Sequence, residues 1–215
     1  MGLVDFRLIA TDLDGTLLRS DGTVSRRTVD TLRDAEDHGY LVVAATGRPP
    51  RWMRPVADEL GHTGVAVCAN GAVVYDLHSD EVVEFDALVR STVLTVSEIV
   101  RDAVPDVHFA VETLGGFGAE PGYLPYDDDL PYVTHKGPID ELAGDDVVKL
   151  LVRHDTMGPD DLLAQVKTLA GDRVEVTHSS RSALLEISAT GVTKAATLAR
   201  IAGRHGWQGA HAIAF

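Results

Sequence analysis

The sequence predicts an α/β fold in which a parallel sheet covered by helices carries an inserted α+β unit. Three observations lead there. From residue 8 to residue 70, short continuous apolar runs alternate with helix-period segments, the pattern of strands buried on both faces. After Asn70 the pattern changes to hairpins and half-buried strands, which belong to antiparallel sheets. Near residue 193 a helix followed by an apolar strand returns, as if the first pattern resumed.

Each element has its own local reason. Leu8–Thr11 is an apolar run that closes on Asp-Leu-Asp-Gly and reads as a buried strand. Ser25 is a helix N-cap, Val29, Leu32 and Ala35 recur at three-residue spacing, and Gly39 is the stop. YLVVAAT, 40–46, is a fully apolar strand. PPRWMRPVADELG, 49–61, reads as one helix with a kink at Pro55. VAVCAN, 65–70, is a third strand, and AVVYDLHSDEVVEF is a hairpin. The inserted unit then holds a helix over 91–103, a strand at HFAVET, a loop from Leu114 to Pro131, a strand at VVKLLVRH and a helix over 159–170. RVEVTHS and ALLEIS are paired strands, 193–205 is a helix, and AHAIAF is a buried strand. The division is therefore 1–83 with 190–215 as one domain and 84–189 as the other.

Composition bounds the function. The formal net charge is −14, which opposes binding to a phosphate backbone, so no nucleic-acid partner is expected. A single cysteine, Cys68, rules out a disulfide framework within the chain and suits a reducing cytoplasm. The N-terminus lacks a basic segment followed by a long apolar one, so no signal peptide is expected. Phe6 stands where a myristoylation motif after Gly2 needs Ser or Thr. No apolar run approaches the roughly 18 residues of a membrane span.

The chemistry concentrates at Asp12 and Asp14. Two residues apart on a strand, they point the same way, at the carboxyl end where open parallel sheets bind ligands. Leu13 between them points into packing, and Gly15 allows the turn. Two carboxylates in one place create a negative potential that a hard cation such as Mg2+ relieves. One can be a nucleophile and the other a proton donor and acceptor. Thr46-Gly47-Arg48 ends the second strand, Asn70-Gly71 ends the third, and Lys194 opens the late helix. Together they set a hydroxyl, an amide and an ammonium around one crevice.

These residues resemble the haloacid dehalogenase superfamily of phosphatases, and within it the Cof-type branch with a class IIB cap. The matching segments are DLDGTLL (12–18), TGR (46–48), ANGA (69–72) and LLEISATGVTKAATL (184–198). The resemblance implies a Rossmann-like core with an inserted α+β cap, and Mg2+-dependent hydrolysis of a small phosphorylated metabolite through an aspartyl-phosphate. Asp12 is then the nucleophile. Asp14 protonates the leaving alcohol, activates water and lends its backbone carbonyl to Mg2+, so that Asp12 and Asp14 are the metal residues. Thr46 and the Gly47 amide hold the phosphoryl oxygens with Lys194 beside them, and Arg48 and Asn70 lie toward the substrate. Sugar phosphates lead as substrates, ahead of pyridoxal phosphate and flavin mononucleotide. A phosphomutase-type transferase and a non-catalytic protein with the same fold are the alternatives.

The family's fourth motif, an acidic loop after the strand that AHAIAF resembles, has no counterpart before Phe215. The expectation is therefore a chain truncated before that loop, with an incomplete core and weak hydrolysis of p-nitrophenyl phosphate. Oligomeric state is left open. Other segments carry less. GVTKAAT lacks the second glycine of a P-loop and its Ser/Thr after the lysine. Asp127–Asp129 read as a solvated acidic loop, and the nine histidines show no zinc spacing. GGFGAEPGYLP reads as an exposed loop, with a substrate-facing cap surface as the functional reading. Cys68 reads as a small packed hydrophobe, and for Arg51 and Trp52 substrate contact and packing stay equally open.

Overall fold

The computed structural model describes residues 6–124, 132–179 and 183–215. The chain divides into two compact units, Met1–Phe85 with Thr193–Phe215, and Asp86–Val192. The first break falls after Phe85 because the strand that ends there is still paired to the first unit's hairpin.

The first unit is a six-stranded sheet with helices. Its elements are β1 (Leu8–Asp12), α1 (Arg26–Asp37), β2 (Leu41–Ala45), α2 (Met53–Leu60), β3 (Val65–Cys68), β4 (Val73–Asp76) and β5 (Glu81–Phe85). After the second unit come α6 (Lys194–Arg204) and β12 (Ala212–Ala214). Strand order is β12-β1-β2-β3-β4-β5. The first four run parallel; β4 is antiparallel to β3, and β5 is antiparallel to β4. Leu8, Ala10, Val43, Ala45 and Val67 alternate along the parallel strands and pack with Ile201 and Ala202 of α6. Ser25 caps α1, its hydroxyl accepting from the Thr28 amide at 3.0 Å. Gly39, at φ 83°, lets the chain leave α1 in the left-handed conformation.

Three expectations change here. Residues 49–61 are not one helix: a 3-10 turn, Pro50–Trp52, precedes α2, and the bend lies at Trp52 rather than Pro55. Pro55 is the third residue of α2, where the amide has no intrahelical acceptor anyway, so no bond is lost. The third strand stops at Cys68, because Ala69, Asn70 and Gly71 all take positive φ (49°, 59° and 115°) and turn the chain out of the sheet. The final strand is half-exposed rather than buried, since β12 is an edge strand paired only to β1.

The second unit is an antiparallel sheet with helices on one face. It contains α3 (Arg90–Ala103), β6 (Val107–Thr113), β7 (Phe117–Ala119), β8 (Val133–Lys136), α4 (Ile139–Leu142), β9 (Val147–His154), α5 (Pro159–Ala170), β10 (Val174–His178) and β11 (Leu184–Ala189). The order is β10-β11-β9-β6-β7-β8, with only β7 and β8 parallel. Val93, Val96 and Val100 of α3 and Leu162 and Val166 of α5 bury against Phe109, Leu150 and Ile187 of the sheet. Short β7, β8 and α4 have no clear signal in the sequence; they are held by tertiary contacts.

Part of GGFGAEPGYLP is core rather than exposed loop. Phe117 and Tyr123 are buried, packed with Ala110, Ala119 and Leu151, because two aromatic rings remove more apolar area from water there than a solvated loop would. Glu120 in the same segment is buried too. Its carboxylate accepts from Arg101 at 2.7 and 2.9 Å, from the Phe109 amide at 3.0 Å and from the Ile139 amide at 3.1 Å. On the same face of the sheet as Ala110 and Leu151, Lys149 is buried and pairs with Glu186 at 2.9 Å. Asp127–Asp129 lie outside the described residues. No helix among the described residues is long and apolar enough to cross a membrane.

Candidate active site

Every residue singled out for chemistry lies in the first unit. Asp12 is the last residue of β1 and sits opposite Ala45, the last residue of β2, so the turn carrying Thr46 starts beside it. The strand does not run on to Asp14. Beyond Asp12 the chain folds back on itself: the Leu17 amide donates to the Asp12 carbonyl at 3.2 Å, and the Leu18 amide to the Leu13 carbonyl at 2.8 Å. Asp14 is thus placed by a tight turn through Gly15, at φ 80°, and not by strand alternation. Leu13 is fully buried and anchors this turn. The Thr11 hydroxyl adds a donor to the Asp12 carbonyl at 3.0 Å.

Each carboxylate has a cationic partner. Lys194 Nζ donates to Asp12 Oδ1 at 2.6 Å. Arg48 donates to both oxygens of Asp14, Nε to Oδ2 at 3.0 Å and Nη2 to Oδ1 at 2.5 Å. The negative potential expected of two neighbouring aspartates is therefore already met by two side chains of the chain itself. Arg48, expected toward the substrate, is joined to Asp14. The four side chains are partly exposed, at 37% for Asp12, 38% for Lys194, 29% for Arg48 and 58% for Asp14, so they remain open to a ligand from solvent.

Thr46 is buried and fixes its own turn, its hydroxyl oxygen accepting from the Arg48 amide at 3.0 Å. Its carbonyl accepts from the Asn70 amide at 3.1 Å, and the Arg48 carbonyl accepts from the Ala69 amide at 2.9 Å. The TGR turn and the Asn70 turn are thereby one hydrogen-bonded body, with Gly47 at its apex. The Asn70 backbone amide joins it to this body. Arg51 and Trp52 follow, with the Arg51 guanidinium 4.9 Å above an indole that is 47% exposed.

Thr197 escaped the sequence reading, and so did its contact with Gly71. The Thr197 hydroxyl, buried on α6, donates to the Gly71 carbonyl at 2.8 Å. Gly71 approaches α6 so closely that a Cβ on it would stand 2.5 Å from the Thr193 carbonyl carbon and oxygen. Only the position of Thr197 three residues after Lys194, on one helix face, hinted at this.

Such a set can do nucleophilic and proton-transfer chemistry on an anion: a carboxylate beside an ammonium, a second carboxylate, and a tight turn offering a hydroxyl and amides. A family model described as haloacid dehalogenase-like hydrolase matches residues 9–215. Pyridoxal phosphate phosphatase YbhA of Escherichia coli (strain K12) is 33% identical over 96 residues, 45% of this chain and 35% of YbhA, so the aligned stretch spans about a third of that relative's length. The 5-amino-6-(5-phospho-D-ribitylamino)uracil phosphatase YitU of Bacillus subtilis (strain 168) is 28% identical over 222 residues, covering 97% of this chain and 78% of YitU. Among solved structures, a haloacid dehalogenase-like hydrolase from Bacteroides thetaiotaomicron superposes with a TM-score of 0.76 at 23% identity, covering 98% of this chain and 81% of that one. That likeness is one of fold.

Proposed function

Given that the chain belongs to the haloacid dehalogenase-like hydrolases, we propose that it hydrolyses phosphate monoesters of small metabolites, with Asp12 as nucleophile and Asp14 as acid and base. The observation that carries this reading is Lys194 Nζ, 2.6 Å from Asp12 Oδ1 at the carboxyl end of β1. An ammonium there orients the carboxylate and offsets the charge of an approaching phosphoryl group. Asp14 first takes up a proton from solvent; Asp12 then attacks phosphorus, and the bond to the leaving oxygen breaks as Asp14 delivers that proton to it. Water then attacks the aspartyl-phosphate, gives its proton to Asp14, and releases inorganic phosphate with Asp12 restored. Thr46 and the Gly47 amide hold the phosphoryl oxygens. Arg48 orients Asp14 while the site waits and must yield one of its two hydrogen bonds when Asp14 takes up a proton.

Mg2+ belongs to the proposal. The oxygen donors of Asp12 and Asp14 suit a hard cation, which commonly takes one or two carboxylates with water and phosphate oxygens completing its shell. Among the described residues no group of three His, Cys, Asp or Glu side chains gathers, so such a shell leans on water and substrate. Asp12 through its carboxylate and Asp14 through its carbonyl would hold the ion, which would supply positive charge beside the phosphoryl oxygens.

We place the substrate among small phosphorylated metabolites, sugar phosphates first. The names of YbhA and YitU bring in a phosphorylated pyridine and a ribityl phosphate as further candidates. The second unit, Asp86–Val192, is proposed as the cap and the first as the core. A cytoplasmic setting is part of the same reading, on the strength of one cysteine. The test is phosphate release from a panel of phosphate esters, with Mg2+ and with chelator. Mg2+-dependent release by the wild type, absent in Asp12→Asn, is expected; equal release by Asp12→Asn removes the reading.

A further inference from the structure

The geometry points to Thr197 as a positioning residue: through the Gly71 carbonyl, we propose, its hydroxyl sets where Lys194 meets Asp12. The inference rests on the phosphatase reading only for its kinetic consequence; its structural content stands without it.

Three elements from distant parts of the chain must agree for the site to form. These are the end of β1 with Asp12, the Thr46–Arg48 turn, and the start of α6 with Lys194. The first two are neighbours through the β1–β2 pairing. The third reaches the site across 182 residues of sequence, and in that interval the chain leaves the unit and returns. Its placement therefore needs a local reference.

The Ala69–Gly71 turn supplies one. On one side, the Ala69 and Asn70 amides donate to the Arg48 and Thr46 carbonyls at 2.9 and 3.1 Å, which ties the turn to the TGR segment. On the other side, Gly71 touches the backbone at Thr193 and Lys194, where a Cβ would stand 2.5 Å and 2.9 Å from backbone atoms. A bare glycine at φ 115° is what lets the two backbones come so near. Contact alone fixes distance but not sliding or rotation of the helix. The Thr197 hydroxyl fixes those, with a buried 2.8 Å hydrogen bond to the Gly71 carbonyl one turn along α6 from Lys194. Thr193 caps the same first turn, its hydroxyl accepting from the Ala196 amide at 3.1 Å. The helix start is thus held by its own cap and registered to the turn by Thr197.

A purely packing role for Thr197 makes a different prediction. The residue is 3% exposed, and valine has nearly its shape without the hydroxyl. If only packing matters, Thr197→Val keeps the site. If the hydroxyl sets the register, valine leaves a buried carbonyl without its donor and frees α6 to shift.

Crystal structures of wild type, Thr197→Val and Thr197→Ser give the direct test. The Nζ–Oδ1 distance should exceed 3.5 Å in the valine variant and stay near the wild-type 2.6 Å in the serine variant. In turnover of p-nitrophenyl phosphate, valine should lower kcat about tenfold with little change in KM, and serine should restore it. A valine variant that keeps the Lys194–Asp12 pair overturns the proposal, as does a serine variant that folds with the pair open. Should valine fail to fold, the serine structure still decides. A wild type inert toward every phosphate ester removes the proposed function, while the distances continue to judge the role of Thr197.

Discussion

Arg48 holds Asp14 by both carboxylate oxygens, at 3.0 and 2.5 Å, across a gap of 34 residues in sequence. A guanidinium fork matches a carboxylate in a way an ammonium cannot. Arg48→Lys keeps the charge and loses the fork. It is expected to lower kcat about tenfold and Arg48→Ala about a hundredfold, within the range that a misplaced acid–base group costs. Steady-state kinetics on a phosphate ester, with circular dichroism to confirm folding, checks this. Equal rates for all three proteins would deny Arg48 a part in orienting Asp14.

Lys194 faces Asp12 at 2.6 Å, and no other cationic side chain bonds Asp12 among the described residues. Lys194→Met retains much of the stem and removes the charge. The expected loss in kcat/KM is about a hundredfold or more, comparable to deleting one preorganised electrostatic donor. A loss below threefold would show that the ammonium is dispensable.

Glu120 stitches the second unit together from its interior, with Arg101 and the amides of Phe109 and Ile139 as donors. Glu120→Ala strands two backbone amides and leaves Arg101 without its carboxylate. Since Arg101 is 46% exposed, water recovers part of the loss, and a destabilisation of about 2–3 kcal/mol is expected. Urea unfolding combined with hydrogen exchange at Phe109 and Ile139 measures it. Unchanged protection of both amides would contradict the role given to Glu120.

Asp80 closes the β4–β5 hairpin by accepting from the Tyr75 hydroxyl and pairing with Arg54 at 2.6 Å. The Tyr75 hydrogen bond, then Arg54, hold its carboxyl below the usual aspartate value of 3.8. A depressed folded-state pKa stabilises above the unfolded value, and that stabilisation fades as pH falls below 3.8 toward the lower folded value. The stability gap between wild type and Asp80→Asn should accordingly be flat at neutral pH and narrow in that acidic window. Burial, followed by the Asp80 bond, pushes the Tyr75 hydroxyl upward, so its contribution is present below 10 and declines above it. A gap that widens on acidification would reverse the assignment.

What the sequence revealed, and what it hid, follows from the range of the forces involved. The continuous apolar runs at β1, β2 and β3 announced a buried parallel sheet because their composition suits no half-exposed strand. The cap at Ser25 and the stop at Gly39 are local hydrogen-bond chemistry, and local chemistry is written in adjacent residues. Asp12 and Lys194 were legible as candidates, but their pairing is a tertiary fact. Asp14 was assigned to the right neighbourhood by the wrong device, since strand alternation was assumed where Gly15 makes a turn. The pairing of Arg48 with Asp14 was not legible, because a lone arginine carries no sign of its partner. The contact between Thr197 and Gly71 was not legible for the same reason: a threonine on a helix face and a glycine after an asparagine are ordinary until folding places them together. Glu120 hid in a segment of glycines and prolines that looked like a loop, where its four acceptor contacts could not be foreseen.

The central claim is that Asp12 itself takes the phosphoryl group. Quenching turnover of a phosphate ester in acid and reducing the trapped acyl phosphate with borohydride converts a phosphorylated aspartate to homoserine. Peptide mass spectrometry then reads the residue at position 12. The account predicts homoserine at position 12 in wild type under turnover and none without substrate. Sustained phosphate release with Asp12 unmodified, and undiminished in Asp12→Asn, would contradict it.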